Sequence, residues 1–198
     1  MKTQHVLVAL ASAAGLLGFG FGLAPAAAAD AVRWGKVAGW DILIDTTLGN
    51  GCFIFTIYDG GTALRLGFDP DEGDAYLMVG NQKWASIEHG KDYDIEIRMD
   101  RDAPWEATAT GVDFDGLPLL MASTDQPNFL IDFMKKNTLE VRYLNKSIAT
   151  LSLKGTFAAV GEMLKCQDYV DVHGVGGRAP YADPFGSGGR STASDPFR

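Results

Sequence analysis

Apolar and polar residues alternate along most of the chain, with the period of two that indicates β-strands. In the segment DYDIEIRMD, the apolar residues Tyr93, Ile95 and Ile97 alternate with charged residues, so this strand is expected to have one buried and one exposed face. Turn residues rich in Gly, Asn and Asp separate the segments. The pattern predicts eight or nine short strands, at residues 39–47, 52–61, 62–69, 75–81, 84–88, 92–100, 105–112, 138–144 and 147–153.

Two segments follow the period of a helix instead. Residues 125–137 place a proline near the start of the first helix and then apolar residues spaced three and four apart, which are Phe129, Leu130, Phe133 and Met134. The second helix is predicted to begin at Thr156 as its N-cap. Its apolar stripe is expected to contain Phe157, Val160 and Leu164, widened by Ala159, Met163 and Cys166. Many short strands with two short helices predict a mainly-β fold, either an antiparallel β-sandwich or a partly open barrel.

The first 29 residues are predicted to be a secretory signal peptide. Lys2 supplies the positive charge, residues 6–23 form an apolar stretch rich in Ala and Gly, and four alanines precede Asp30 as a small-residue cleavage site. An uncleaved anchor is the alternative, because the apolar stretch approaches the length of a membrane span. The alanine-rich site favours cleavage, so we expect a periplasmic or secreted protein with no membrane span after cleavage.

The charge balance restricts the class of partner. The chain has 17 basic and 25 acidic residues and a formal net charge of −8. Nucleic acids and anionic membrane surfaces both attract clustered Lys and Arg. The acidic balance therefore argues against a nucleic-acid partner and against an anionic membrane surface.

Cys52 and Cys166 are the two cysteines of the chain. In an exported protein this count predicts one disulfide bond. A redox pair would favour Cys-x-x-Cys spacing, and a metal site would need further ligands, although only His89 and His173 follow the predicted signal peptide. The predicted bond anchors the C-terminal helix to the strand at Cys52, within one β-sandwich-like domain over residues 30–170.

Residues 171–198 are rich in Gly, Pro and Ser and show no apolar period, so they are predicted to be a disordered tail. The sequence Asp-Pro-Phe occurs twice in this tail, with Asp183 and Phe185 in one copy and Asp195 and Phe197 in the other. A repeated motif on a flexible tail can act as a bivalent ligand. Chance turns in a low-complexity tail are the simpler interpretation, and the one we favour.

Few residues point to chemistry. The sequence has no H-E-x-x-H, G-x-S-x-G or P-loop motif, so no catalytic residue and no cofactor are predicted. The acidic turn with Asp69, Asp71 and Asp74 offers oxygen ligands that suit Ca²⁺. Its glycine, Gly73, comes one place too early for the calcium-loop spacing, so the turn is interpreted as an exposed hairpin turn and no metal is predicted.

The tryptophans are the remaining candidates. Trp40 and Trp105 are in phase with apolar neighbours and are expected in the core. Trp84 follows two polar residues and is expected to be partly exposed, where its ring can stack on a sugar.

Several segments together resemble a known group of proteins. These are the early Trp40, the sequence Gly-Cys-Phe at 51–53, the sequence WASI at 84–87 and the ending LSLKGTFAAVGEMLKC at 151–166. They resemble small exported alphaproteobacterial proteins of unknown function and, more distantly, the invasion-associated locus B family. The resemblance implies an exported, β-rich protein that ends in a strand, a glycine and an Ala-rich helix. It also implies a weak link to host-cell invasion, and it supplies no catalytic residues.

These observations predict an exported, non-catalytic β-domain that binds a protein or cell-envelope partner. The alternative is a carbohydrate- or small-ligand-binding module that uses exposed aromatic residues, with Trp84 as its candidate residue. A hydrolase is the third interpretation, because the chain is poor in histidine and has no nucleophile motif.

Overall fold

A computed structural model describes residues 31–114 and 116–175. The predicted signal peptide and both Asp-Pro-Phe motifs lie outside the described residues. The described chain contains ten strands and two helices: β1 Ala31–Val37, β2 Trp40–Asp45, β3 Gly51–Ile57, β4 Thr62–Asp69, β5 Asp74–Asn81, β6 Asp92–Met99, β7 Trp105–Phe114, β8 Leu117–Thr124, α1 Pro127–Lys135, β9 Thr138–Tyr143, β10 Lys146–Ser152 and α2 Thr156–His173.

All ten strands form one antiparallel sheet, in the order β1-β2-β3-β4-β5-β8-β7-β6-β9-β10. The first five strands are a simple meander, and β5 then pairs with β8 rather than with β6. Strands β1 and β10 stand at the two ends of the sheet and do not pair with each other within the described residues. The prediction of a mainly-β, antiparallel fold with two helices is confirmed, and the sheet is open rather than closed.

The sequence pattern did not predict two of the strands, β1 and β8, and one predicted strand is wrong. Strand β1 has its two charged residues, Arg33 and Lys36, three positions apart with a glycine between them, and β8 contains a proline in a continuous apolar run, so neither shows a clear period of two. The segment at 84–88 was predicted as a strand but forms turns. In these turns the N–H of Trp84 donates to the Asn81 carbonyl at 2.9 Å, and that of Ile87 donates to the Trp84 carbonyl at 3.0 Å.

One face of the sheet, the inner face, packs against both helices. Its central row crosses four adjacent strands, because Ile42 pairs with Ile54, Ile54 with Leu66, and Leu66 with Leu77. All four side chains are buried in one core cluster with residues of α1 and α2. The opposite face, the outer face, carries the intervening residues of every strand, as the period of two requires.

Helix α2 packs through four of the six residues of the predicted stripe, which are Ala159, Val160, Met163 and Cys166, but not through the other two. Phe157 is 66% exposed and Leu164 is 39% exposed, so their predicted burial is wrong. The buried stripe is shifted around the helix by about one residue and follows the i, i+3, i+4 spacing through Thr156, Ala159, Val160, Met163, Cys166 and Val170. Because Phe157 and Leu164 are apolar although they are exposed, the sequence does not show which side of α2 is buried.

The N-cap prediction for Thr156 is also wrong. Thr156 is the first residue of α2, and its buried hydroxyl donates towards the carbonyls of Leu153 at 2.8 Å and Phe133 at 3.0 Å. The N-cap position belongs to Gly155, whose φ of 90° favours glycine. A Cβ atom there would lie 2.7 Å from the Ala38 carbonyl oxygen, so the glycine also allows α2 to begin directly against the β1–β2 turn.

A disulfide bond joins Cys52 at the start of β3 to Cys166 in α2, across a sequence separation of 114 residues. The neighbouring Gln167 strengthens this junction, because its side-chain oxygen accepts the N–H of Cys52 at 2.8 Å. Near the other end of the helix, the indole of Trp40 donates to the Lys154 carbonyl at 3.1 Å. The helix is therefore fixed to the sheet at both ends, and the prediction of a disulfide-anchored C-terminal helix is confirmed. It ends at His173, beyond the predicted domain end at residue 170.

We expect the disulfide bond to contribute up to about 4–5 kcal/mol to the free energy of unfolding, because it closes a long loop in the unfolded chain. The double variant Cys52→Ala/Cys166→Ala should lose this contribution in urea unfolding monitored by circular dichroism. Wild-type protein unfolded under reducing conditions is the control and should lose a similar amount. Thiol labelling of unreduced, denatured wild-type protein should find no reactive cysteine, and labelling of both residues would contradict the assignment.

Candidate functional site

The outer face carries an open groove of about 820 Å³ across the first half of the sheet. Most of its lining is apolar and comes from strands β2 to β5 and from the β7–β8 hairpin, with Arg33 from β1 and Gln82 and Lys83 from the turn after β5. The apolar lining residues are Leu43, Phe53, Phe55, Ile57, Ala63, Met78, Phe114, Leu117 and Leu119. The polar lining residues are Arg33, Asp41, Arg65, Asn81, Gln82 and Lys83.

Strand register explains why these side chains meet. Phe55 pairs with Arg65 and Arg65 pairs with Met78, so the three form one row across β3, β4 and β5. In the next row Ala63 pairs with Gly80, and Gly80 pairs with Leu119. Small residues at the centre of this second row leave the space that the larger residues around it enclose.

Two glycines next to the groove lining allow neighbouring side chains to lie close to the sheet. A Cβ atom at Gly67 would lie 2.5 Å from the Tyr76 hydroxyl, so the missing side chain lets the Tyr76 ring lie across β4. A Cβ atom at Gly80 would lie 2.4 Å from a methyl carbon of Leu119, so the Leu119 side chain folds over β5 in its place. Glycine in a strand interior often marks such a close approach.

One buried charged cluster stands at the inner end of the groove. The guanidinium of Arg65 forms an ion pair with Asp45, and its Nε donates to the Tyr76 hydroxyl at 2.7 Å, while Nη2 also donates to both groups. The guanidinium carbon lies 3.6 Å from the centroid of the Phe53 ring, which is a cation–π contact. Arg65 is only 8% exposed, so the cluster ties β2, β4 and β5 together away from bulk water.

Burial and hydrogen bonding act in opposite directions on Asp45. Burial disfavours its negative charge, but the hydrogen bonds from Arg65 and Thr47 outweigh this effect and lower the pKa of Asp45. Because the folded-state pKa lies below the unfolded value of about 3.9, the cluster stabilises the fold above that pH. This contribution is lost as the pH falls through the lowered pKa. Burial also raises the pKa of Tyr76, which therefore remains a neutral phenol at neutral pH.

The outer end of the groove is more exposed. Ile57 is 53% exposed and Phe114 is 38% exposed, on opposite sides of the opening. At the edge formed by β1 and β2, Arg33 lies 3.5 Å from Asp41, which also pairs with Lys36 at 3.0 Å. The groove thus runs from a buried charged cluster to an opening that holds exposed apolar residues together with the polar Gln82 and Lys83.

The residues singled out by sequence lie elsewhere. Trp84 is half-buried and packs against the core cluster, and it does not line the groove. In the acidic turn, Asp71 is exposed and its N–H donates to Asp69 at 3.2 Å, in a local turn contact. Across residues 31–114 and 116–175, no three or more His, Cys, Asp or Glu side chains form a group that could hold a metal ion. Cys52 and Cys166 are joined in the structural disulfide bond.

Sequence reasoning missed the groove and its arginine, although a signal for both exists. The segment CFIFTI in β3 and the segment AYLMVG in β5 are continuous apolar runs rather than alternating ones. Continuous runs are typical of strands that are buried on both faces. Arg65 interrupts a similar run in β4, and a charged residue in such a place indicates a buried, paired group.

Comparisons with known proteins find a likeness among solved structures. No family model and no curated protein matches the chain. Among solved structures, the chain is similar to the crystal structure of invasion associated protein B from Bartonella henselae. The sequence identity is 14% and the TM-score is 0.49, and the match covers 67% of this chain and 96% of that chain. The likeness says nothing about what the groove binds, and membership of this chain in the invasion-associated family stays a prediction.

A helix that crosses a membrane must be both long and apolar, and α1 and α2 were the two helices to consider. In the described part of the chain, neither combines the necessary length with the necessary apolar character.

We predict that Arg65→Met lowers the free energy of unfolding by about 3–5 kcal/mol, because it leaves the Asp45 carboxylate buried without its cation. The double variant Arg65→Met/Asp45→Asn should lose less, since no unpaired charge remains. Arg33→Met is the matched control, because the Arg33 side chain is 69% exposed, and it should change stability by no more than about 0.5 kcal/mol. Urea unfolding measures all three variants, and equal losses for Arg65→Met and Arg33→Met would contradict the burial of the ion pair.

Proposed function

We propose that this protein is an exported, non-catalytic binding module whose groove on the outer face holds the apolar part of a small ligand. The predicted signal peptide supports export, and the disulfide bond is consistent with an oxidising compartment outside the cytoplasm. The groove supplies the binding site.

The size and lining of the groove carry this proposal. Its volume of about 820 Å³ lies within the range of roughly 300–1,000 Å³ that is typical of small-molecule sites. Such sites have mainly apolar walls with a few placed polar groups. Here Phe53, Met78 and Leu119 form buried apolar surface, and Arg65 is the polar group at the inner end.

The lining favours binding over catalysis. As far as the described chain goes, the groove is lined by no serine, cysteine or histidine, and so offers no nucleophile paired with a base of the usual kind. Its ion pair is already closed between Arg65 and Asp45. A hydrolase is therefore not the activity that we propose.

The apolar groove supports a different mode of ligand binding from the one that the tryptophans suggested. A sugar requires many hydrogen-bonding partners along its edges, whereas the walls between Ala63 and Phe114 are mostly alkyl and aromatic. Sugar stacking on Trp84 and binding of a protein or cell-envelope partner both stay predictions.

The proposal predicts saturable binding of the uncharged apolar dye N-phenyl-1-naphthylamine, measured by its fluorescence increase. Ala63→Phe places a ring in the second row of the groove, where it occupies space that the dye needs. The affinity for the dye should fall at least about tenfold, which corresponds to a loss of binding free energy of the order of 1.4 kcal/mol. Thr150→Phe is the matched control, because Thr150 is exposed on β10 outside the groove, and dye binding should remain at the wild-type level.

Thermal melts of both variants distinguish a filled groove from a damaged fold. If wild-type protein fails to bind the dye, or if a folded Ala63→Phe variant binds it as well as wild type does, the groove is not the binding site.

A further inference from the structure

The guanidinium of Arg65 has hydrogen-bonding capacity that the protein does not use. A guanidinium carries five N–H donors, and those on Nε and Nη2 serve Tyr76 and Asp45. The two donors on Nη1 have no hydrogen-bond partner among the residues that the structure describes. Nη1 is not among the buried, unpartnered side-chain nitrogens of the described chain, which are Nε of Arg98 and Nε of Arg142, so it is accessible to solvent or to a ligand. Since Arg65 lines the groove, a group inside the groove can supply an acceptor for it.

The charges along the groove favour an anion. The whole chain has a net charge of −8, yet the groove lining holds Arg33, Arg65 and Lys83 against the single carboxylate of Asp41. Asp45 offsets Arg65 from behind the lining. Lys83 is exposed at the outer end and forms no ion pair within the described part of the chain. Arg33 is paired with Asp41 and Arg65 with Asp45, so Lys83 gives the groove an excess of one positive charge, which favours a negative ligand over a positive one.

The arrangement of polar and apolar surface fixes the orientation of such a ligand. The unused donors stand at the inner end beside Phe53, and apolar surface continues past Ala63 and Leu119 to the opening at Ile57 and Phe114. A ligand with its polar head at the inner end would therefore lay an alkyl chain along the groove and leave the chain end at the opening. The large exposed apolar residues at the opening then contact the chain.

Building on the proposed function, we infer that the ligand is a fatty acid, whose carboxylate accepts hydrogen bonds from Nη1 of Arg65 and whose alkyl chain occupies the groove. A carboxylate accepts paired bonds from a guanidinium edge, and such charge-assisted bonds are the stronger class of hydrogen bond. The existing Asp45 contact holds the guanidinium in place before the ligand arrives.

The first test varies only the ligand head. Isothermal titration calorimetry, below the micelle concentration of each compound, compares dodecanoate, dodecanol and dodecyltrimethylammonium. Dodecanoate should bind at least about tenfold more tightly than dodecanol, because its bond to Arg65 is charge-assisted. The cationic amphiphile should bind more weakly than dodecanol, because the groove lining repels it.

The second test changes Arg65 and Asp45 and measures the ratio of the affinity for dodecanoate to the affinity for dodecanol. A general loss of folded protein affects both affinities equally and does not change this ratio. Asp45→Asn removes the charge that offsets Arg65, so the ratio should rise. Arg65→Lys keeps a cation for Asp45 but removes the planar fork, so the ratio should fall towards one. Arg98→Lys on β6 is the matched control, because it lies outside the groove, and the ratio should stay at the wild-type value.

The third test varies the chain length. From octanoate to dodecanoate, affinity should rise roughly fourfold for each added methylene while the added groups are buried. The increase should stop once the chain passes Ile57 and Phe114 into water. Ala63→Phe should shorten the length at which the increase stops.

The outcomes separate this inference from the proposed function. Equal affinity for dodecanoate and dodecanol, both lost in Ala63→Phe, would overturn the carboxylate assignment and leave the groove as a binding site. Tighter binding of the cationic amphiphile would overturn it as well. If none of the three amphiphiles binds and the apolar dye does not bind either, the proposed function itself is wrong. If Arg65→Lys does not fold, the ligand series and Asp45→Asn decide the question.

Discussion

The packing of α2 against one face of the sheet determines what the other face is free to do. The bond between Cys52 and Cys166 attaches α2 to β3. The contact between Trp40 and Phe133 of α1 places α1 on the same side of the sheet. Both helices therefore cover the inner face. The outer face has no helix of the described chain upon it, and whatever apolar surface it carries must be shielded by the sheet itself or by a ligand.

The outer face divides into two chemically different halves. On β6 and β7 it is polar, and the hydroxyls of Thr108 and Thr110 donate to Asp94 and Asp92 across the strands. On β2 to β5 it is mainly apolar, and its charged residues are paired, Arg65 with Asp45 and Asp41 with Arg33 and Lys36. An uncovered sheet face is normally polar along its whole width. The apolar half is the departure from this rule, and a bound apolar ligand is a physical reason for it.

Much of this fold could be predicted from the sequence, and the parts that could not have identifiable physical causes. The β4–β5 hairpin follows from local turn residues, and the disulfide bond follows from the presence of two cysteines in a chain that is predicted to be exported. Strand β8 was missed because it is apolar on both faces and has no period of two. The buried stripe of α2 was misplaced because Phe157 and Leu164 offered a second apolar stripe, and only the tertiary contact with β3 selects between the two.

The groove was harder to predict, because it depends on partners that are distant in sequence. Arg65 meets Asp45 and Tyr76 only after β2, β4 and β5 have found their register. The sequence shows a charged residue in an apolar strand, but it does not show which carboxylate faces it. Trp84 was favoured instead because aromatic residues are conspicuous in sequence, and its packing against the core became visible only in the fold.

Gly67 and Gly80, next to the groove lining, give neighbouring side chains the space that a Cβ atom would take. A methyl group at Gly67 would displace the Tyr76 ring and with it one acceptor of Arg65, and a methyl group at Gly80 would push Leu119 towards the opening. Neither glycine has a positive φ, so glycine is favoured at these positions because it lacks a side chain, not because of its backbone freedom. Positions 67 and 80 are therefore a simple diagnostic for related chains: those that keep both glycines can keep the cavity, and those with larger residues must have rebuilt or closed it.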